Sequence, residues 1–209
     1  MKRRITTADV QAALDGFVQA GLVRVFSDES QPEASGDKSE LEPPAAKRKC
    51  RRARLGKREL ALIKQIIEEF CPRFAPGATV VYIGDAESKF LHLEAAYLEG
   101  LGVVIAPAAK MPDVAVHDTK RNWLMLVEAV TSAGAVDWKR RKELKELFKG
   151  CNAGLVFVTA FETRRAMQSF LPQISWETEV WVAEDPDHLI HFDGERFRGP
   201  YPDVTPGSR

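Results

Sequence analysis

Cysteine is scarce in this 209-residue chain: Cys50, Cys71 and Cys151 stand far apart and none belongs to a Cys-x-x-Cys pair. That spacing excludes a disulfide framework and a cysteine zinc site, and it suits a reducing cytoplasm. His117, His188 and His191 lack the partner spacing of a zinc motif. No apolar run approaches the roughly eighteen residues of a membrane span, and the opening MKRRITTADVQ has no apolar signal core. Neither a membrane protein nor a secreted one is expected. Tyr82-Ile83-Gly84-Asp85 has a single glycine, too few for a phosphate-cradling nucleotide loop. Asp85 reads as a turn residue or a carboxylate that orients Lys89.

Net charge is also lacking, with 30 Lys and Arg against 30 Asp and Glu. Distribution matters more than the sum. Acids dominate 28–42, whereas residues 47–58 carry eight positive charges and no negative one. Lys47, Arg48, Lys49, Arg51 and Arg52 could displace counterions from a phosphate backbone and add salt-dependent affinity without reading any base. A solvated basic linker is the other reading of that run.

What is present is an α/β pattern. A short helix begins near Thr6 and carries Val10, Leu14, Phe17 and Val18 at helical spacing; Gly21 stops it before the strand-like 22–26. Residues 1–26 form a small helical segment, 27–55 a flexible acidic-then-basic linker, and 56–203 the main domain. There Leu60, Ile63, Ile66, Ile67 and Phe70 make one stripe of a helix ended by Pro72. Next are expected a strand at 79–83, a helix at 87–99 and a short strand at 103–106. A strand from Asp113 to Val116, the Glu128 strand, a helix at 136–148, a strand at 155–159 and a helix at 162–170 follow. Residues 176–182 alternate with period two and pair with 188–192 as a hairpin. The order predicts a mixed central sheet flanked by helices.

The chemistry concentrates in 110–142. Asp113 follows Pro112 at the start of one β-like run, and Glu128 follows the apolar run Trp123 to Val127 in the next. Magnesium is usually held by only one or two carboxylates, with waters and substrate phosphate completing its shell. A basic run, Lys139 to Lys142, follows at the start of a helix and supplies the cationic partner that phosphodiester cleavage needs. The residues alone leave two readings open: a metal site beside a phosphate, or strand ends beside a solvated helix face.

Ordered blocks along most of the chain point one way. They are Tyr82 to Asp85 with Lys89, Lys110 to Asp113, Glu128 to Ser132, Lys139-Arg140, Leu155 to Phe161, Ile174 to Trp181, His188 to Phe192, and Gly199 to Tyr201. Over roughly 60–201 the chain closely resembles the BsuBI/PstI family of type II restriction endonucleases. The resemblance implies a PD-(D/E)XK restriction-endonuclease-like fold with a short N-terminal helical appendage. It also implies Mg²⁺-dependent cleavage of double-stranded DNA at a palindrome such as CTGCAG. Asp113 and Glu128 are then the metal ligands. The superfamily's lysine position, two after the glutamate, is Val130 here, so Lys139 is the first choice for the catalytic cation, with Lys110 and Lys89 next. Lys110 and Arg140 are expected on DNA.

Where family members read Thr-Ser-His-Gly-Pro, this chain has Thr131-Ser132-Ala133-Gly134-Ala135. A palindrome calls for a homodimer, and a restriction enzyme calls for a DNA methyltransferase as its genetic partner. The rival expectation is a shortened homologue that binds DNA without cutting it.

Overall fold

A computed structural model describes residues 7–19, 23–24, 58–84, 91–106, 109–131 and 134–192. The basic run from Lys47 to Arg52, the whole of the 27–55 linker, Asp85, Lys89 and Ala133 lie outside the described residues. Helix α1 (Thr7–Gln19) and strand β1 (Val23–Arg24) come first. Helix α2 is described from 58 and continues through a π segment, Ile66–Phe70, into a last turn, Cys71–Phe74. Then follow β2 (Ala78–Ile83), β3 (His92–Leu93), α3 (Ala95–Gly100), β4 (Val114–Asp118) and β5 (Trp123–Val130). The chain closes with α4 (Trp138–Leu147), β6 (Gly154–Phe161), α5 (Arg164–Gln168), a 3₁₀ turn (Leu171–Gln173), β7 (Thr178–Val182) and β8 (Leu189–Phe192).

The strands form one mixed sheet ordered β1-β2-β4-β5-β6-β7-β8, with β3 also on β2. β5, β6 and β7 are parallel, whereas β2, β4 and β5 pair antiparallel. Parallel neighbours need a crossover, and α4 and α5 supply it. The hairpin expected near the end is present, with β7 antiparallel to β8.

Residue alternation along β5 sorts the core into two layers. Met125, Val127 and Ala129 pack with Val10 of α1 and with Ile63, Ile66, Ile67 and Phe70 of α2. Leu124 and Leu126 pack on the other side with Leu144 and Phe148 from α4 and its end. Glu128 is in phase with the second set, so it points to the α4 side. α1 and β1 join this body: Val10 is buried, and Val23 pairs in parallel with Ala78.

Three elements differ from the sequence expectation. The helix does not end at Pro72. A proline lacks an N–H and collides with the carbonyl four residues back; here the preceding turn is widened, and the Cys71 N–H donates five residues back to Ile66. Within the described part of the expected helix at 87–99, His92–Leu93 instead pairs with Tyr82–Ile83 and the helix starts only at Ala95. Residues 103–106 form no strand. The Val103 N–H closes the end of α3 on Leu98 and Val104 is exposed, so the segment finds no partner edge.

Two glycines meet where the far ends of α3 and α4 come together. Gly102 has φ +84°, and a Cβ there would stand 2.2 Å from the Gly150 carbonyl oxygen. The converse contact, from Gly150 to the Gly102 carbonyl, would be 2.4 Å. Only bare backbone fits both positions.

Candidate active site

The antiparallel register of β4 and β5 pairs Val114 with Val127, so one step further along Asp113 stands opposite Glu128. Directly opposed residues present their side chains on one face. The two carboxylates therefore share the α4 side of the sheet. Asp113 Oδ2 accepts the Ala129 N–H at 2.6 Å, and its carbonyl accepts the Gly84 N–H at 2.8 Å. Glu128 is 6% exposed.

Burial, and next the charge of Asp113, push the Glu128 carboxyl up to about 8, against the pull of Arg140. Glu59, in the first turn of α2, pushes in the same direction. Burial, then Asp113 and Glu128, push the Tyr82 phenol up to about 12, which keeps it neutral at ordinary pH. Gly84 makes room for that phenol, since a Cβ there would lie 2.6 Å from the Tyr82 hydroxyl oxygen.

Arg140 sits over the pair. Its Nε donates to Glu128 Oε1 at 2.9 Å and its Nη2 lies 2.7 Å from the same oxygen as an ion pair, while Nη1 and Nη2 donate to the carbonyls of Lys110 and Met111 at 3.1 and 2.9 Å. Asp137 caps α4 by accepting the Arg140 backbone N–H at 2.6 Å. The next arginine, Arg141, pairs with Glu177 and lies 5.8 Å from the Phe157 ring centre.

The structure thus brings Asp113, Glu128 and Arg140 together. Lys139 lies on the outer face of α4, 79% exposed and 3.9 Å from Glu143. Together with Lys110, Lys142, Glu143 and Glu146 it lines an open cleft of about 550 Å³ beside the site. Val130 is buried among Ala135, Phe161 and Ile174, a setting that would strip a lysine ammonium of water without a partner. Ala135, in the place of the family's proline, fills part of that cluster.

Among the described residues no group of three or more His, Cys, Asp or Glu could hold a metal. The two facing carboxylates nevertheless fit Mg²⁺. Both are hard oxygen donors, and Glu128 is held up partly by a like charge, the imbalance that a divalent cation reverses.

Comparison with known proteins decides the family: the BsuBI/PstI restriction endonuclease domain matches residues 48–195. The chain belongs to the BsuBI/PstI restriction endonuclease family. It is 54% identical over 140 residues to the type II restriction enzyme BsuBI of Bacillus subtilis, covering 67% of this chain and 44% of that protein. The type II restriction enzyme AplI of Arthrospira platensis is 31% identical over 143 residues, covering 65% of this chain and 44% of its own length. The solved structure of SdaI restriction endonuclease superposes with a TM-score of 0.64 at 53% identity, covering 68% of this chain and 45% of that one. The chain spans less than half the length of these relatives. Among the described residues no helix is long and apolar enough to cross a membrane.

Within this BsuBI/PstI domain, sequence reasoning missed the tie from Arg140 to Glu128 and the electrostatic neighbourhood of Tyr82 and Glu59. A signal for the first was available. Val136, Arg140, Leu144 and Phe148 recur every four residues, so Arg140 is in phase with three buried hydrophobic residues.

Proposed function

We propose that this chain is a Mg²⁺-dependent type II site-specific deoxyribonuclease of a restriction-modification system, cutting double-stranded DNA at a palindrome such as CTGCAG. One observation carries the reading: Asp113, at the entry to β4, and the buried Glu128 come together where Val114 pairs with Val127 on two antiparallel strands. Asp113 and Glu128 would hold the metal, which would supply a more acidic water and charge stabilisation on the phosphate. The Ala129 N–H orients Asp113 by holding one of its oxygens. Neutral Tyr82 adds no third negative charge beside the pair. Lys139, in the adjoining cleft with Lys110, is assigned to stabilise or orient the attacking water against the scissile phosphate. Lys110 and the run of Lys47, Arg48, Lys49, Arg51 and Arg52 are assigned to the DNA backbone.

A palindromic target is met most economically by a homodimer in which each subunit cuts one strand. The protein would act in the cytoplasm beside a DNA methyltransferase that protects host DNA. A second reading, binding without cutting, draws on Ala133 and Ala135, which stand where a histidine and a proline were expected. Plasmid DNA with and without CTGCAG, incubated with Mg²⁺ or with chelator, separates the two. Discrete fragments from the site-bearing plasmid with Mg²⁺ alone are expected. Retarded but intact DNA under every condition leaves the binding-only reading.

A further inference from the structure

We propose that Arg140 is a positioning residue for the metal carboxylates: its guanidinium fixes Glu128 to the segment leading into Asp113, and cation affinity depends on that tie. The inference rests on the reading of Asp113 and Glu128 as metal ligands. A pair of ligands on two strands binds a small, geometrically demanding cation only if their separation is held, and Mg²⁺ demands near-ideal octahedral geometry. Strand pairing fixes the backbones of 113 and 128. It does not fix the Glu128 side chain.

Arg140 does so from a third element. Its hydrogen bond and its ion-pair contact to Glu128 both end on Oε1, so neither claims Oε2. Its other two bonds end on the carbonyls of Lys110 and Met111, immediately before Pro112-Asp113. One planar fork therefore spans the ligand on β5, the loop entering β4, and the first turn of α4. A lysine has one compact ammonium and cannot span that set. The helix cap on Asp137 fixes where the fork starts, and the Arg140 side chain is only 17% exposed.

Two other roles for the guanidinium make different demands. As a stand-in for the absent cation it would leave when metal arrived, yet the two carbonyl bonds do not depend on the charge of Glu128. As a phosphate contact it would need its fork turned outward, yet each of its three nitrogens already donates within the protein and the side chain is only 17% exposed.

The test uses the full chain and Mn²⁺ alone as probe, with unbound Mn²⁺ read by electron paramagnetic resonance and no DNA present. Arg140→Met should weaken Mn²⁺ binding by about tenfold or more, as loss of a ligand's hydrogen-bond partner does elsewhere. Arg140→Lys should recover only a small part, and in a Glu128→Gln background Arg140→Met should add little. Duplex affinity in EDTA should stay within about twofold, because no phosphate contact is lost. Should Arg140→Met fail to fold, Arg140→Lys, which keeps the charge and removes the fork, carries the measurement.

Unchanged or tighter Mn²⁺ binding in these variants overturns the proposal, tighter binding marking a mere counter-ion. Retained Mn²⁺ affinity with weaker duplex binding and a salt slope lowered by about one overturns it in favour of a phosphate contact. If the unsubstituted chain binds Mn²⁺ no better than Asp113→Asn does, the metal reading itself fails, and that is seen before any Arg140 variant is measured.

Discussion

Glu128 and Asp118 are both buried carboxylates on the β4–β5 pair, at opposite ends of it, and they are 6% and 4% exposed. Their surroundings differ. Asp118 accepts the Lys120 and Arg121 backbone N–H groups at 3.0 and 3.4 Å and the Arg121 guanidinium at 3.0 Å, and so caps the turn between the strands. Beside it His117 is bonded through both ring nitrogens, to the Tyr97 hydroxyl and to Asn122. Glu128 faces another carboxylate and has one guanidinium, shared with two carbonyls. Burial by itself therefore does not mark a reactive carboxylate. A like-charged neighbour does, because fold stability alone gives no reason to place it there.

The sharpest way to break this comparison is to neutralise each end in turn. Asp113→Asn or Glu128→Gln should lower Mg²⁺-dependent cleavage on the order of a thousandfold while leaving the fold and most metal-free DNA affinity intact. Near-normal cutting by either variant removes the metal assignment. Lys139→Ala should slow single-turnover cleavage by about a hundredfold, with Lys120→Ala, at the Asp118 end, as the silent control. If Lys139→Ala weakens only binding, the lysine is a phosphate clamp.

At the other end the effect should fall on stability. Asp118→Ala leaves turn amides and a guanidinium without their acceptor, so unfolding should become easier by about 1–3 kcal/mol in urea titrations. Cleavage below the melting transition should be unchanged. A catalytic defect in the folded variant would erase the contrast between the two ends.

The pH dependence sharpens the contrast further. The folded-state pKa of Glu128 is raised to about 8 from 4.5. Its contribution to stability is therefore fully present below about 4.5 and is lost as pH rises toward 8. The metal-free protein should lose at most about 1.4 kcal/mol per pH unit from this group across that window. Glu128→Gln should flatten that part of the profile, as followed by thermal melts at each pH; identical profiles would mean that Glu128 carries no such strain. The smallest effect is expected from neutralising Lys47, Arg48, Lys49, Arg51 and Arg52. Binding to all duplexes should weaken alike, with a shallower salt slope and unchanged site preference. A change in the sequence cut would show that the run reads bases.

Much of this was legible in the sequence because it depends on local period. Short apolar runs marked the strands around Asp113 and Glu128, and apolar spacing marked α2. The hairpin from Thr178 to Phe192 followed from alternation with period two. What was not legible depends on tertiary partners. His92–Leu93 becomes a strand because the β2 edge accepts it, against a helical local pattern. Pro72 is carried inside a helix because a π turn, which has no composition signature, opens before it. That Arg140 and not its neighbour Lys139 meets Glu128 is a matter of helix phase, about 100° between neighbours, and phase follows from the Asp137 cap.

The contact between Gly102 and Gly150 makes the length of α4 a quantity under constraint. Backbone touching backbone fixes the far end of the helix, and the bonds of Arg140 fix the near end. The helix is a strut with both feet set. A single residue inserted between Arg140 and Gly150 would advance one foot by about 1.5 Å and turn it by about 100°, carrying the guanidinium off Glu128. Surface substitutions along α4 should therefore leave the fold intact, whereas insertions and deletions within it should not.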